Sequence, residues 1–204
     1  MKKLLSTLLL VPVLLMFSFA PAGNELTKEE RDLAKKALME SQDKLMGAVK
    51  GLSDAQINFK PADTVWSVSE VVEHIAISET NIFEFIQMSL KEEANPERRS
   101  EVKMNDEQIL NMIADRTNKV KTRPEFEPTS KFGGFQGSLN EFKAKRKQNM
   151  AYVMSTKDDL RNHYFEFPFG VVDSYQIIMF MAGHNNRHTK QIEELKANAN
   201  FPKK

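Results

Sequence analysis

The chain has 204 residues, 41% hydrophobic and 28% charged, which is long enough for one domain with a sizeable core. Its 29 basic and 28 acidic residues are too evenly balanced for the concentrated basic face that nucleic-acid binding requires. Cysteine is absent, which excludes disulfides and a lipid-modified cysteine.

The first residues have the pattern of an export signal. Lys2 and Lys3 precede an apolar run at 4–19, and a small-x-small pattern follows at 20–22. The proline inside that pattern would obstruct an earlier cut, so we expect cleavage after Ala22. The run is short for a membrane span, and it too contains a proline.

The sequence therefore predicts a signal peptide at 1–22 and one domain at 23–204, periplasmic or secreted and free of the membrane. Loss of Lys2 and Lys3 would leave 27 basic residues against 28 acidic ones, a net charge of about −1. This balance gives no support for a nucleic-acid partner.

Capping boxes predict where the main helices begin. In a capping box the first side chain and a Glu or Gln three residues later satisfy amide hydrogens at a helix N-terminus. A fifth start, at Asn105, predicts a shorter helix to about Lys121. The four main helices are predicted at about 27–50, 67–93, 138–160 and 173–197, from boxes at Thr27, Ser67, Ser138 and Asp173.

The connections favour an all-α four-helix bundle with one long crossover that carries the short extra helix. The crossover at 94–137 is rich in proline and glycine, and a bundle can accommodate one such segment. Phenylalanines alternate at 164–172, but Pro168 and Gly170 favour a loop that plugs the bundle. We find no strand pattern long enough to make a sheet.

His184 and His188 lie four residues apart in the last predicted helix, so both imidazoles project from one face at a separation that one metal ion can bridge. They continue a stripe of core positions. A pair at this spacing also occurs by chance, and a histidine on an apolar face is usually a hydrogen-bonded core residue. The apolar members of the stripe are Ile177, Met181, Ile192 and Leu195.

A third ligand has to come from another helix, and His74 and His163 are the available histidines. His74 follows Val71 on an inward stripe of the second main helix, whereas His163 lies at a helix end, where it would face solvent or complement the helix dipole. We therefore predict a metal site at His74, His184 and His188.

Short motifs in the same order resemble the DinB-like family of metal-binding four-helix bundles, which are related to thiol-dependent transferases. The resemblance covers about 27–195, and its motifs are Trp66-Ser67-Val68, Val71-Val72-Glu73-His74 and the run 183–192, GHNNRHTKQI. It implies an up-down-down-up-type bundle with a divalent metal on His74, His184 and His188. Water or substrate would fill the remaining coordination positions.

Three neutral imidazoles would leave an ion its full charge and an open position, an arrangement that acidifies bound water or thiol. We expect zinc or nickel, with iron or manganese as alternatives. The motif HNNRH lacks the glutamate of zinc peptidases, which disfavours that activity. Glu70 and Glu73 precede His74, but Glu70 is more simply the capping partner of Ser67.

The interpretation favoured by these residues is a metal-dependent, hydrolase-like enzyme that acts on a small molecule. A non-catalytic metal-dependent ligand-binding module and a thiol-dependent S-transferase are the alternatives. Export counts against the transferase, because cytosolic thiol cofactors are scarce outside the cytoplasm. The sequence assigns no catalytic residue beyond the ligands, and it leaves a homodimer open.

Overall fold

The computed structural model describes residues 24–203, so the predicted signal peptide lies outside the described part. None of the described helices combines the length and apolarity needed to cross a membrane. The helices are α1 (Lys28–Val49), α2 (Asp54–Ile57), α3 (Val68–Ser89), α4 (Asp106–Ala114), α5 (Phe135–Ser155) and α6 (Ser174–Lys196). The strands are β1 (Tyr164–Phe167) and β2 (Gly170–Asp173). Two 3₁₀ turns cover Pro96–Glu101 and Pro124–Phe126.

The four long helices form the predicted bundle. Helix α1 packs against α5 and α6, and α3 packs against the same two, so α5 and α6 each lie between α1 and α3. The crossover between α3 and α5 carries α4, which packs on α6. The prediction of an all-α bundle with a long crossover and a short extra helix is confirmed.

Three of the predicted helix starts are reciprocal capping boxes, at Thr27, Ser67 and Asn105. The start at Asp173 is only half a box. Its carboxylate accepts from the backbone N–H of Gln176, while the Gln176 side chain donates to the carbonyl of Met104. The last helix is therefore capped and also tied to the crossover.

The predicted start at Ser138 is wrong. Helix α5 begins three residues earlier, after Gly134, whose φ of 98° only glycine adopts without strain. Ser138 lies in the first turn, and its hydroxyl donates to the carbonyl of Gly134. Serine satisfies this carbonyl as readily as it caps a helix, which explains the error.

The segment predicted as a plugging loop is a two-stranded antiparallel hairpin. Tyr164 pairs with Asp173 and Phe167 pairs with Gly170, which places Pro168 in the turn, where no N–H is needed for the strand pairing. The predicted helix ends are also too late, since α3 ends at Ser89, α4 at Ala114 and α5 at Ser155. Propensity locates ends poorly, because the last turns depend on tertiary contacts.

A buried ion pair links three helices inside the bundle. The guanidinium of Arg146, on α5, is fully buried and pairs with both carboxylate oxygens of Glu79, on α3. It also donates to the carbonyl of Leu38 and the hydroxyl of Ser41, both on α1, at 2.6 and 2.7 Å. A buried charge is tolerated only when it is paired and hydrogen-bonded in this way.

A second arginine joins three helix N-termini. Arg161 donates to Glu30 of α1, Asp106 of α4 and the N-cap Asp173 of α6, at 2.8 to 3.0 Å. Burial disfavours the charged guanidinium, but the carboxylates outweigh it and raise its pKa. We call this cluster of Arg161 with its three carboxylates the arginine hub.

Helices α4 and α6 touch closely at Gly183. A Cβ atom built on this glycine would lie 2.6 Å from the carbonyl oxygen of Leu110 and 3.1 Å from Cβ of Ile113. Glycine is therefore required by the approach of a backbone, and this contact sets the position of α4 beside the helix that carries His184 and His188.

We expect Gly183→Ala to lower the free energy of unfolding by about 1–3 kcal/mol, because the added methyl group collides with backbone atoms. Gly47→Ala is the matched control, since nothing lies within 4 Å of a Cβ at that position in α1. Alanine there should stabilise the protein by about 0.5–1 kcal/mol. Urea unfolding measures both, and equal effects of the two substitutions would contradict the close approach.

Candidate metal centre

Three of the four histidines meet in the interior of the bundle. The Nε2 atom of His74, on α3, lies 3.2 Å from Nε2 of His184 and 3.0 Å from Nε2 of His188, both on α6. Ligand atoms of the three rings all lie within 4.8 Å of one another. His163 is not in this cluster, and its Nδ1 lies 3.2 Å from the carbonyl oxygen of Ser89.

The helical stripes explain this meeting. Val71 and His74 are buried on α3, and Met181 and His188 are buried on α6, so the apolar positions turn the histidines toward each other where the two helices pack. His184 is partly exposed, whereas His74 and His188 are buried.

The tautomer of His74 is set by the crossover. Its Nδ1 lies 2.7 Å from the carbonyl oxygen of Phe126, in the second 3₁₀ turn. A carbonyl oxygen only accepts, so Nδ1 must carry the hydrogen and Nε2 must carry a lone pair. Metal-binding histidines are commonly oriented by such a contact.

His188 has the same tautomer for a different reason. Its Nδ1 lies 2.9 Å from Oε1 of Gln191, one turn further along α6. The same oxygen accepts from Nη1 of Arg116 at 3.2 Å. Gln191 therefore presents an acceptor to the ring, Nδ1 donates, and Nε2 again carries a lone pair.

Two nitrogen lone pairs thus face each other across 3.0 Å with no hydrogen between them. Such a contact is repulsive unless a cation lies between the rings. Nitrogens bound tetrahedrally to zinc at about 2.0–2.1 Å lie about 3.3–3.4 Å apart, close to the separations found here. The donor set and its spacing therefore fit a divalent ion.

The three histidines of the cluster are neutral at physiological pH. Burial lowers the pKa of His74 to about 4, against the opposing effect of its bond to Phe126. Burial and the neighbouring imidazoles hold the pKa values of His184 and His188 well below the usual range. Neutral imidazoles are the form that binds a metal, so these nitrogens need not lose a proton first.

The two glutamates near His74 in sequence have other partners. The Glu70 carboxylate accepts from the backbone N–H of Ser67 at 2.7 Å and from Lys60 at 3.1 Å. Glu73 accepts from the backbone N–H groups of Thr129 and Lys131, at 3.0 and 2.7 Å, and so fastens the crossover to α3. No acidic side chain between residues 24 and 203 joins the histidine cluster.

Half-buried aromatic rings border the cluster. The ring centroids of Trp66 and Phe126 lie 5.1 and 6.4 Å from that of His74, and the ring of Phe180 stacks on His184 at 6.2 Å. Two surface cavities, of about 500 and 370 Å³, include no histidine of the cluster in their linings. The imidazoles of the cluster are therefore bordered by aromatic surface.

Sequence reasoning located the three rings but missed what holds them. Gln191 lies three residues after His188, a spacing that places the two side chains on one helix face and could have been noticed. Arg116 lies 75 residues before Gln191 and Phe126 acts through its backbone, so no local pattern marks either contact.

Comparison with known proteins gives consistent matches. The sequence profile of the DinB superfamily matches residues 37–192. The uncharacterized protein YuaE of Bacillus subtilis (strain 168) is 31% identical over 149 residues, which cover 72% of this chain and 88% of YuaE. YfiT from Bacillus subtilis, described as a probable metal-dependent hydrolase with an unusual four-helix bundle topology, has a TM-score of 0.54 at 22% identity, covering 84% of this chain and 89% of its own.

We expect the metal-free protein to lose stability as the pH falls from about 6.5 toward 4. Unfolded histidines bind protons below about 6.5, whereas His74 stays neutral in the fold until the pH approaches its pKa of about 4. In this window each such histidine lowers the free energy of unfolding by at most about 1.4 kcal/mol for each pH unit.

Urea unfolding with chelator at pH 7, 6 and 5 checks this expectation. Carboxylates add to the slope in every variant, so the informative quantity is the difference between the parent and His74→Phe. The substitution should reduce the slope, and identical slopes would mean that His74 is not buried in its neutral form.

Proposed function

The chain belongs to the DinB superfamily, and on this basis we propose that it is a divalent-metal-dependent enzyme with hydrolase-like chemistry, its ion held by His74, His184 and His188. The observation that carries the proposal is the pair of unprotonated nitrogens of His74 and His188, facing each other at 3.0 Å with a third imidazole beside them. Zinc and nickel suit an all-imidazole donor set, and iron is an alternative.

The bound ion would act as a Lewis acid and lower the pKa of water or thiol that it binds. Two of the rings are prepared for this role, because Phe126 and Gln191 fix their Nδ1 hydrogens. His184 is partly exposed, so we infer that a substrate would approach the ion from the side of this ring. The ring of Phe180 lies beside His184 and that of Trp66 lies beside His74, and their apolar surface favours a small molecule with an apolar part.

One further point supports hydrolysis as the reaction class, and another limits the substrates. The structural relative YfiT is described as a probable metal-dependent hydrolase. The HNNRH motif does not carry the glutamate that a zinc peptidase helix uses as a general base, so peptides are not the proposed substrates. We further propose, from the pattern at 1–22, that the reaction takes place outside the cytoplasm.

The purified protein should contain close to one divalent ion per chain, measurable by elemental analysis. His184→Ala and His188→Ala should abolish retention of the ion, because each substitution removes one of its three nitrogen donors. His74→Ala should also remove the rise in melting temperature that the ion produces, since it breaks the link between α3 and α6.

His163→Ala is the matched control, because this histidine contacts Ser89 and lies outside the cluster. It should retain the parent's metal content and metal-dependent melting temperature. Loss of the metal effect in His163→Ala together with its retention in His74→Ala would overturn the site assignment.

The metal-loaded protein should hydrolyse at least one class of small activated ester or amide, and His184→Ala should reduce the rate to background. The assay compares metal-loaded, chelated and reloaded protein on one substrate panel, with and without a small thiol. Metal-dependent conjugation of the thiol without hydrolysis would identify a transferase. Metal-dependent ligand binding without turnover would identify a binding module.

A further inference from the structure

The side chain of Gln191 lies between a predicted metal ligand and an arginine. Its Oε1 atom is 2.9 Å from Nδ1 of His188 and 3.2 Å from Nη1 of Arg116. A glutamine amide has an acceptor at one end and a donor at the other, and the two orientations have nearly the same shape. Which end faces His188 therefore has to be decided by a neighbour.

The orientation determines whether His188 can bind an ion. With the amide oxygen toward the ring, Nδ1 carries the hydrogen and Nε2 has a free lone pair. With the amide NH₂ toward the ring, Nδ1 must accept, so the hydrogen moves to Nε2, which then cannot coordinate. Without a further neighbour, His188 and Gln191 can form a hydrogen bond in either amide orientation.

Arg116 removes this ambiguity. A guanidinium has only donors, so an amide NH₂ turned toward it would place donor against donor. Arg116 is itself fixed by two parallel hydrogen bonds to the Glu194 carboxylate, at 2.8 and 2.9 Å, and its side chain is only 14% exposed. Its position is therefore set independently of Gln191.

We propose that Arg116 is a positioning residue of the metal centre, which holds the amide of Gln191 so that Nε2 of His188 stays free to coordinate. This inference rests on the proposed metal site and adds a residue that touches neither ion nor substrate. Arg116 lies just after α4, so the crossover orients two ligands, His74 through Phe126 and His188 through Arg116.

A purely structural role for Arg116 can be separated from this one, because other side chains of α6 anchor the same segment. Lys190 donates to the carbonyl of Ala114 at 2.8 Å, and Arg187 donates to the carbonyls of Asp115 and Asn118. None of these contacts involves Gln191. Lys190→Met therefore weakens the anchor and leaves the amide held by Arg116.

The test reads the His188 tautomer from the ring nitrogen chemical shifts of ¹⁵N-labelled, metal-free full-length protein at neutral pH. The parent should show the Nδ1–H form. Arg116→Met should give a mixture, with about half of the molecules in the Nε2–H form if the two amide orientations become equivalent. Metal affinity, measured by chelator competition, should fall roughly tenfold or more. Lys190→Met should retain the parent tautomer.

Gln191→Glu supplies the rescue. A carboxylate accepts from Nδ1 whichever way it is turned, so in that background Arg116→Met should leave the Nδ1–H tautomer in place and reduce metal affinity much less. If Arg116 merely anchors the segment, the affinity loss will be equal in both backgrounds and the tautomer will not change. Arg116→Gln, which keeps polarity but is shorter and is no longer only a donor, replaces Arg116→Met should the latter fail to fold.

The two proposals fail in different ways. If no variant and no parent binds a divalent ion, while the tautomer still responds to Arg116→Met, the proposed metal-dependent function is wrong. If the parent binds an ion and the tautomer is unchanged in Arg116→Met, the positioning role of Arg116 is overturned.

Discussion

The candidate metal centre depends on a contact that would be unfavourable without an ion, in which two imidazole nitrogens face each other and neither carries a hydrogen. Nε2 of His74 and Nε2 of His188 are 3.0 Å apart, and the partners of both Nδ1 atoms keep the hydrogens on the far sides of the rings. Both rings are buried among the packed helices, and their contacts with Phe126 and Gln191 hold them in place. Hydrogen bonding thus holds two lone pairs in a geometry that a bound cation would relieve.

The crossover belongs to this centre as much as the bundle helices do. It supplies the carbonyl of Phe126 to His74, and its own course is fixed by the buried carboxylate of Glu73 and by Asn81, which donates to the carbonyl of Glu125. The close approach at Gly183 presses α4 against α6 on the other side. The crossover is irregular, but its backbone groups have fixed partners, so it can position the ring of His74.

The fold and the three rings could be predicted because their signals are local. Caps at Thr27 and Ser67, and helical stripes through His74 and His188, require only neighbouring residues. The false start at Ser138 arose because two helix-starting signals, a serine box and the Gly134 turn, lie within one turn of each other. The hairpin was missed because Pro168 and Gly170 favour a loop, whereas in the structure Pro168 lies in the turn and Gly170 begins the second four-residue strand.

The contacts that decide the chemistry of the cluster were beyond prediction because they join distant parts of the chain. Every residue type has the same backbone carbonyl, so no side chain marks the contact at Phe126. The pairing of Arg116 with Gln191 forms only when the crossover is in place. The paired residues are separated by 52 and 75 positions. Sequence patterns therefore located the three histidines, and the fold was needed to assign which ring nitrogen carries the hydrogen.

The bundle can be completed only after the end of the chain has been synthesised. The first long helix packs on the last one, and the arginine hub joins Glu30 to Asp173 through Arg161. A chain emerging from its N-terminus carries His74 long before it carries His184 and His188. The three imidazoles can therefore come together only after the last helix has been synthesised and has packed on α3.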